Sequence, residues 1–329
     1  YMTTYKGIKG FNIKTVSSDP PAPFTGEVWY NSGSDNLKYL GTAVAASWAS
    51  GGNLNTSRNG LAGAGTVPAG LVSGGNPPND GSNATEEYDG SAWTNGGNLG
   101  TQTRYAAGCG TQTAALATGG GPPNPANPSR KTQEYDGSSW TAGGDYLVPA
   151  HYLGGCGTQT AALGFGGVSY GPPGGQIALS ATYKYNGSTW TAAGNLPSTS
   201  RKMSGAGTQT AALSIGGQTY NPTNAITLAV EYDGSSWTNG GNLGTARYNG
   251  MAAGIQTAAL YYGGSGPGVA TEVYNGTSWT NSTNMTAPKN RAGASTNGTT
   301  TAAFAAGGPG TSTLEYVRPN PATKTVGTI

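Results

Sequence analysis

The chemistry open to this chain rests on few side chains. It has one histidine, His151, two cysteines, Cys109 and Cys156, and 14 acidic residues against 16 lysines and arginines. A single imidazole excludes a His-rich copper or zinc site of the usual kind. It also leaves no Ser/His/Asp set, because His151 has no distinctive partner. Glycoside hydrolysis would need paired carboxylates, yet Glu87, Asp89, Glu134, Asp136, Glu231 and Asp233 all belong to one repeated turn. Groups repeated in each unit point in symmetry-related directions and do not converge on one centre. The sequence therefore assigns no catalytic, cofactor or metal residues, and the expectation is a non-enzyme.

The recurrent charge is basic. Arg58, Arg104, Arg201, Arg247 and Arg291 open successive units, with His151 in the third. Two readings stand for them. Either the six side chains circle one mouth of a channel as an anion site, or each hydrogen-bonds carbonyls between neighbouring units. Cys109 and Cys156 share one place in adjacent copies of Gly-Cys-Gly-Thr-Gln-Thr-Ala-Ala-Leu, where the next copy has Ala206. That pattern fits a small buried slot, with a disulfide or a metal pair as the lesser alternative.

The elements that position these residues come from a repeat. Glu-Tyr-Asp-Gly-Ser-Ser-Trp-Thr occurs at 134–141 and 231–238, with near-copies at 87–94, 184–191 and 273–280. Trp48, Trp93, Trp140, Trp190, Trp237 and Trp279 follow one another at 42 to 50 residues, and Trp29 lies outside the series. Each unit has four short stretches of strand character. Asp136-Gly137, or Asn-Gly in other units, predicts a tight two-residue hairpin turn between the last two. Four antiparallel strands per unit of this length predict a propeller blade. The Gly/Ala-rich strand would lie innermost, with Tyr and Trp on the wider outer strands. Burying one such Trp contributes up to about 4–6 kcal/mol.

Six Gly-Gly pairs, from Gly74-Gly75 to Gly307-Gly308, mark six inner halves. The strand around Trp48 has no inner strands before it, and the last unit, 291–317, has no Trp after it. The N-terminal Trp strand is thus expected to complete the C-terminal blade and close the ring. The expected fold is all-β, a six-bladed β-propeller of four-stranded antiparallel blades over 46–317. Around it stand an extended arm at 1–26, a short β-hairpin leader at 27–45 and a tail at 318–329.

The order of small strand, Gly-Gly, Tyr, Trp and Arg resembles the kelch repeat across about 46–317. Kelch resemblance implies the fold and is nearly silent on function. A narrower likeness lies in Gly-Thr-Gln-Thr-Ala-Ala-Leu at 110–116, 157–163 and 207–213, together with the leader string Pro23 to Asn31. These resemble kelch-like virion proteins of aquatic bacteriophages and a hairpin module of phage tail and fibre proteins. The resemblance implies a virion structural protein, a tail or fibre component or a capsid decoration.

Charged residues form only 9% of the chain, so solubility rests on Asn, Thr, Ser and Gln and binding should depend weakly on salt. A net charge of +2 gives no case for nucleic acid. No apolar run approaches the ~18 residues of a membrane span, and residues 1–24 lack the apolar core of a secretory signal. The expectation is a chain made in the host cytoplasm without a signal peptide and located in the virion. The connections after each Gly-Gly run from 8 to 18 residues to the Tyr. Their unequal lengths offer a loop-face binding surface at Asn79, Asn124, Tyr170 and Tyr220. Phe11 and Phe24 on the arm are candidates for docking onto copies of this chain or other virion proteins. A receptor- or glycan-binding adhesion module on a host surface is the alternative function. A carbohydrate-active enzyme lacks a visible catalytic set.

Overall fold

The structure, a computed structural model, describes residues 13–21, 27–40, 45–76, 81–122, 128–171, 175–219, 224–266, 268–308, 310–319 and 323–325. Among these residues there are strands and turns but no helix. The chain divides into two compact units, Ala46–Val317, and Tyr1–Ala45 with Arg318–Ile329.

The larger unit holds six four-stranded antiparallel sheets. Sheet I is Ala62–Thr66, Ala69–Ser73, Thr85–Tyr88 and Trp93–Asn95, and sheet II is Arg104–Gly110, Ala115–Gly121, Thr132–Tyr135 and Trp140–Ala142. Sheet III is Gly154–Thr158, Ala161–Phe165, Thr182–Tyr185 and Trp190–Ala193, and sheet IV is Ser204–Gly207, Ala212–Ile215, Ala229–Tyr232 and Trp237–Asn239. Sheet V is Met251–Ile255, Ala258–Tyr262, Thr271–Tyr274 and Trp279–Asn281. Sheet VI begins with Gly293–Ala294, Ala302–Ala306 and Thr313–Val317 and is completed by Ser47–Ser50, which sets Trp48 opposite Tyr316. Without that strand, Thr313–Val317 would present an unpaired edge.

The first strands lie side by side, I against II, II against III, III against IV, IV against V, V against VI and VI against I. Small residues are what this approach requires. A Cβ added to Gly108 would stand 2.6 Å from the Gly63 carbonyl oxygen, so the strands of sheets I and II meet backbone to backbone.

Bulk fills the space farther out. In all six sheets the Tyr ending the third strand faces the Trp beginning the fourth. Their ring centroids are 4.8 to 5.2 Å apart. Such pairs add about 0.5–1.5 kcal/mol beyond their burial. The loop between them differs from the predicted two-residue turn. Tyr135 pairs with Trp140, leaving four loop residues, and Gly137 with φ 93° is the one in the left-handed region. The reason is the Asp136 carboxylate, which accepts the N–H groups of Ser138 and Ser139, both at 2.8 Å. A side chain thus does what the backbone of a tight turn would do.

Neighbouring sheets are stitched by repeated polar contacts. Trp93, Trp140, Trp190, Trp237 and Trp48 each donate Nε1–H to a Thr that opens, or lies in, the third strand of the preceding sheet, at 2.8 to 3.1 Å. The Gln of Gly-Thr-Gln-Thr donates to two carbonyls of the preceding sheet, as Gln159 does to Ala115 and Tyr135. Tyr88, Tyr135, Tyr185 and Tyr274 donate to Glu315, Glu87, Glu134 and Glu231 of the sheet before. The repeated carboxylates are therefore engaged in framework bonds.

The smaller unit carries a sheet of its own. Lys14–Val16 pairs in parallel with Val28–Asn31, which forms a hairpin with Asn36–Leu40, and Thr323–Thr325 adds antiparallel to the latter. Asp19 ties this sheet together, accepting from Trp29 at 3.1 Å, Asn31 at 2.6 Å and Lys38 at 3.0 Å. Segments 14–16, from the arm, and 323–325, from the tail, thus share one sheet with the leader. Phe11 and Phe24 lie outside the described residues.

Candidate functional site

Immediately before the first strand of each sheet, or at its start, stands one residue in the left-handed region: Gly60, Tyr105, Tyr152, Lys202, Asn249 and Arg291, with φ from 56° to 68°. Each lies five positions before a residue near the end of that strand, Gly65, Gly110, Gly157, Gly207 and Gly254, or, in sheet VI, just past it, Thr296. Their backbones bond in series. Tyr105 N–H donates to Gly60 C=O, Tyr152 to Tyr105, Lys202 to Tyr152, Asn249 to Lys202, Arg291 to Asn249 and Gly60 to Arg291, at 2.7 to 3.1 Å. The series closes on itself. Only Gly60 adopts this conformation without cost; for a residue with a Cβ it costs roughly 1–2 kcal/mol. Such strain concentrates at functional sites.

The side chains of this series form a cationic and aromatic cluster. Tyr105 and Tyr152 stack at 4.2 Å. The Arg291 guanidinium lies 5.4 Å from the centre of Tyr105 and 5.9 Å from Tyr152, and Lys202 Nζ lies 5.3 Å from Tyr152 and 4.9 Å from Tyr248. Tyr105, Tyr152, Lys202, Asn249 and Arg291 line a cavity of about 130 Å³. A second cavity of about 80 Å³ shares Tyr105 and Tyr152 and adds Arg104, His151, Tyr170 and Gln176. Among the described residues, no Asp or Glu lines either one.

The electrostatics follow from that. Burial, with Arg201 and Arg291 adding repulsion, pulls the Lys202 ammonium down to about 8. Burial and the charges of Arg104, Arg201 and Lys202 push His151 down to about 4, so its imidazole is neutral near pH 7. His151 is 3% exposed and Asn249 7%, and His151 Nε2 and Asn249 Nδ2 have no hydrogen-bond partner.

The basic series expected to circle one mouth is not one structural position. Arg104, His151 and Arg201 are equivalent with Asn59, each opposite the residue after a Gly-Gly pair: Gly121, Val168, Gln218 and Asn76. Arg58 and Arg247 stand one residue earlier in register and are fully buried. Arg58 bonds the carbonyls of Gly74 and Ala84, both at 2.7 Å, and Glu86 at 2.6 Å. Arg247 repeats this with Gly263, Ala270 and Glu272 at 2.7 to 2.9 Å, and Lys289 fills the same place in sheet VI against Gly307 and Ser312. Arg291 belongs to the left-handed series. Arg58 and Arg247 thus bond carbonyls as the second reading expected, but within the unit each one opens, sheet I or sheet V, and not between neighbouring units. Arg104, His151 and Arg291 border the cavities, and Arg201 lies beside them.

Of the loop-face candidates, Tyr170 is brought into the site, while Asn79, Asn124 and Tyr220 lie outside the described residues. The longest connection carries a hairpin, Val168–Gly171 with Gly175–Ala178. It sets Tyr170 edge-on to His151 at 5.7 Å and places Gln176 between Tyr170 and Arg201. Tyr105, Tyr152, Lys202, Asn249 and Gln176 escaped the reading by residue type, since the left-handed position holds a different side chain in most units.

Cys109 and Cys156 are free and buried, each thiol facing a carbonyl of the next sheet, Thr158 or Thr208. Burial pushes the Cys109 thiol up to about 12 and the Cys156 thiol up as well, which suits the small-slot reading and opposes nucleophilic use. Among the described residues no three His, Cys, Asp or Glu side chains group as a metal site, and no helix is long and apolar enough to cross a membrane. No protein-family model matches the chain, and no curated protein matches it.

Proposed function

We propose that residues 46–317 are a six-bladed kelch-like β-propeller and that the chain is a structural protein of a bacteriophage virion, a tail or fibre component or a capsid decoration. The observation that carries the fold reading is the closed series of six backbone hydrogen bonds, joined by a sixth sheet built from both ends of the repeat region. The virion assignment draws on the resemblance of the repeated strings and the leader to phage proteins. The separate sheet formed by residues 14–40 and 323–325 supplies a module apart from the repeat region for attachment to copies of this chain or other virion proteins.

Deleting residues 291–329 tests the fold: loss of the entire cooperative unfolding transition is expected, whereas loss of about one sheet's signal overturns closure. Immuno-electron microscopy tests the function. An antibody against the chain should decorate intact particles of the encoding phage, and antigen confined to the soluble fraction of infected cells overturns the assignment.

A second reading, a receptor- or glycan-binding adhesion module, is favoured by the two adjoining cavities lined by cations and tyrosines. Binding to a glycan array supports it.

A further inference from the structure

We propose that the paired cavities bind an oxyanion carried on a small polar ligand, of the class of an acidic saccharide, with Lys202, Arg291 and Asn249 holding the anionic group. The proposal deepens the adhesion reading and stands whether or not the chain is part of a virion.

Charge balance comes first. Four cations, Arg104, Arg201, Lys202 and Arg291, gather at residues where no carboxylate lines the cavities. Glu86 and Glu272 are already taken by Arg58 and Arg247. Arg104, Lys202 and Arg291 lie over the faces of Tyr105, Tyr152 and Tyr248, Arg291 also donates to the Tyr105 hydroxyl at 3.3 Å, and Arg201 donates to Gln176. A ring face attracts a cation without consuming its N–H donors. Lys202 has three donors and bonds one acceptor, Gln218 Oε1 at 3.1 Å, so it retains capacity for an incoming anion.

The neutral donors point the same way. A buried polar atom left unpaired is destabilising, and Asn249 Nδ2 and His151 Nε2 are two such atoms, belonging to residues of the two cavity walls. An amide N–H suits an oxyanion, while a neutral imidazole and the phenol of Tyr170 suit hydroxyl groups. The shared wall of Tyr105 and Tyr152 lets one ligand reach both cavities, its anionic group against Lys202 and its hydroxyls toward His151, Tyr170 and Gln176. The left-handed backbone is the cost of aiming five side chains inward from this position.

Calorimetric titration of the full chain at low salt with glucuronate, glucose and inorganic phosphate tests this. Millimolar or tighter binding of glucuronate is expected, with Lys202→Gln and Arg291→Gln each weakening it about tenfold and Lys131→Gln, on the exposed Lys131–Asp145 pair, leaving it unchanged. Asn249→Asp places a carboxylate in the cavity wall and should abolish binding if either glutamine variant fails to fold. Glucuronate bound in preference to phosphate identifies the acidic saccharide. Equal binding of both keeps the oxyanion site with inorganic phosphate as its ligand. No glucuronate or phosphate binding, glucose bound as tightly as glucuronate, or unchanged affinity in the variants overturns it. A neutral glycan captured on an array, with capture kept by Lys202→Gln, leaves the adhesion reading standing and removes this site.

Discussion

Two sets of basic side chains lie within two residues of each other in the repeat and live in opposite surroundings. Arg58 and Arg247 are fully buried, each with a carboxylate and two carbonyls of the unit it opens. At the left-handed series, Lys202 and Arg291 lie over tyrosine faces, and no carboxylate lines their cavity. Register decides which. Arg58 and Arg247, two positions earlier, reach carbonyls and a carboxylate of the sheet they lead into, whereas the side chains at the left-handed position turn into the space where the first strands meet. The first set fastens the entering segment to the strands of its own sheet; the second keeps donors for something else.

Breaking the first set should be the larger effect. Arg247→Ala leaves Glu272 buried and uncompensated, and breaking a buried pair in this way costs about 3–5 kcal/mol. Chemical denaturation should show that loss, while glucuronate affinity of the folded variant stays within twofold. A stability loss under about 1 kcal/mol would mean that the pair behaves like a surface ion pair, and the contrast would fail.

Acid sharpens the comparison from the other side. The framework arginines Arg58 and Arg247 stand beside carboxylates, but His151, buried and surrounded by Arg104, Arg201 and Lys202, resists protonation down to about 4 against an ordinary value of 6.5. The unfolded chain therefore takes up a proton first as pH falls. Stability from this group is complete above about 6.5 and is lost progressively down to about 4, by roughly 3 kcal/mol. The turn aspartates Asp89, Asp136 and Asp233 are held below their ordinary 3.8, so their losses come at lower pH. Denaturation midpoints between pH 7 and 4 should flatten in His151→Asn. Added phosphate should do likewise by offsetting the positive neighbours. An unchanged slope in His151→Asn would remove His151 from the cationic side of the contrast.

How much of this was legible in the sequence depends on whether position or residue type carried the signal. Tyr and Trp recur as the same residues, so the sheets, their aromatic pairs and the partnership of Trp48 with Tyr316 could be read directly. The basic series was assembled by residue type, and type misled. Arg58, Arg104 and Arg291 hold three different registers because a long flexible side chain is tolerated at each of them. Lys202, Tyr152 and Asn249 were hidden for the converse reason: the shared property of their position is a backbone conformation, held by glycine in one unit and by five residues of four other types in the rest. Counting back five from the glycine that ends the small strand would have aligned them. The hairpin carrying Tyr170 and Gln176 had only the length of its connection to announce it.

A gap in the framework gives a smaller test. The residue that accepts from the Trp indole is Thr in five sheets, but sheet IV has Ala229, and Trp279 Nε1 is buried without a partner. Ala229→Thr should supply the missing acceptor and raise stability by about 1 kcal/mol, read as a higher denaturation midpoint at unchanged slope. A destabilised variant would mean that sheet IV has packed around the smaller residue, and the stitch is then not transferable between sheets.

The smallest effect discriminates most sharply, because the two sets should respond with opposite signs. Lys202 holds φ 59°, a conformation that costs a lysine roughly 1–2 kcal/mol and a glycine almost none. Glycine gives back about 0.5–1 kcal/mol through the greater freedom of its unfolded chain, and the contacts with Tyr152 and Tyr248 are also lost. Lys202→Gly should therefore leave stability unchanged or raise it by up to about 0.5 kcal/mol, and relieve the repulsion on Arg291 and His151 as well. Glucuronate binding should disappear in the same protein. A cation whose removal stabilises the fold is retained for another purpose. If Lys202→Gly instead destabilises as Arg247→Ala does, both sets are framework, and the left-handed residues are strain that the closed backbone series imposes rather than a site it presents.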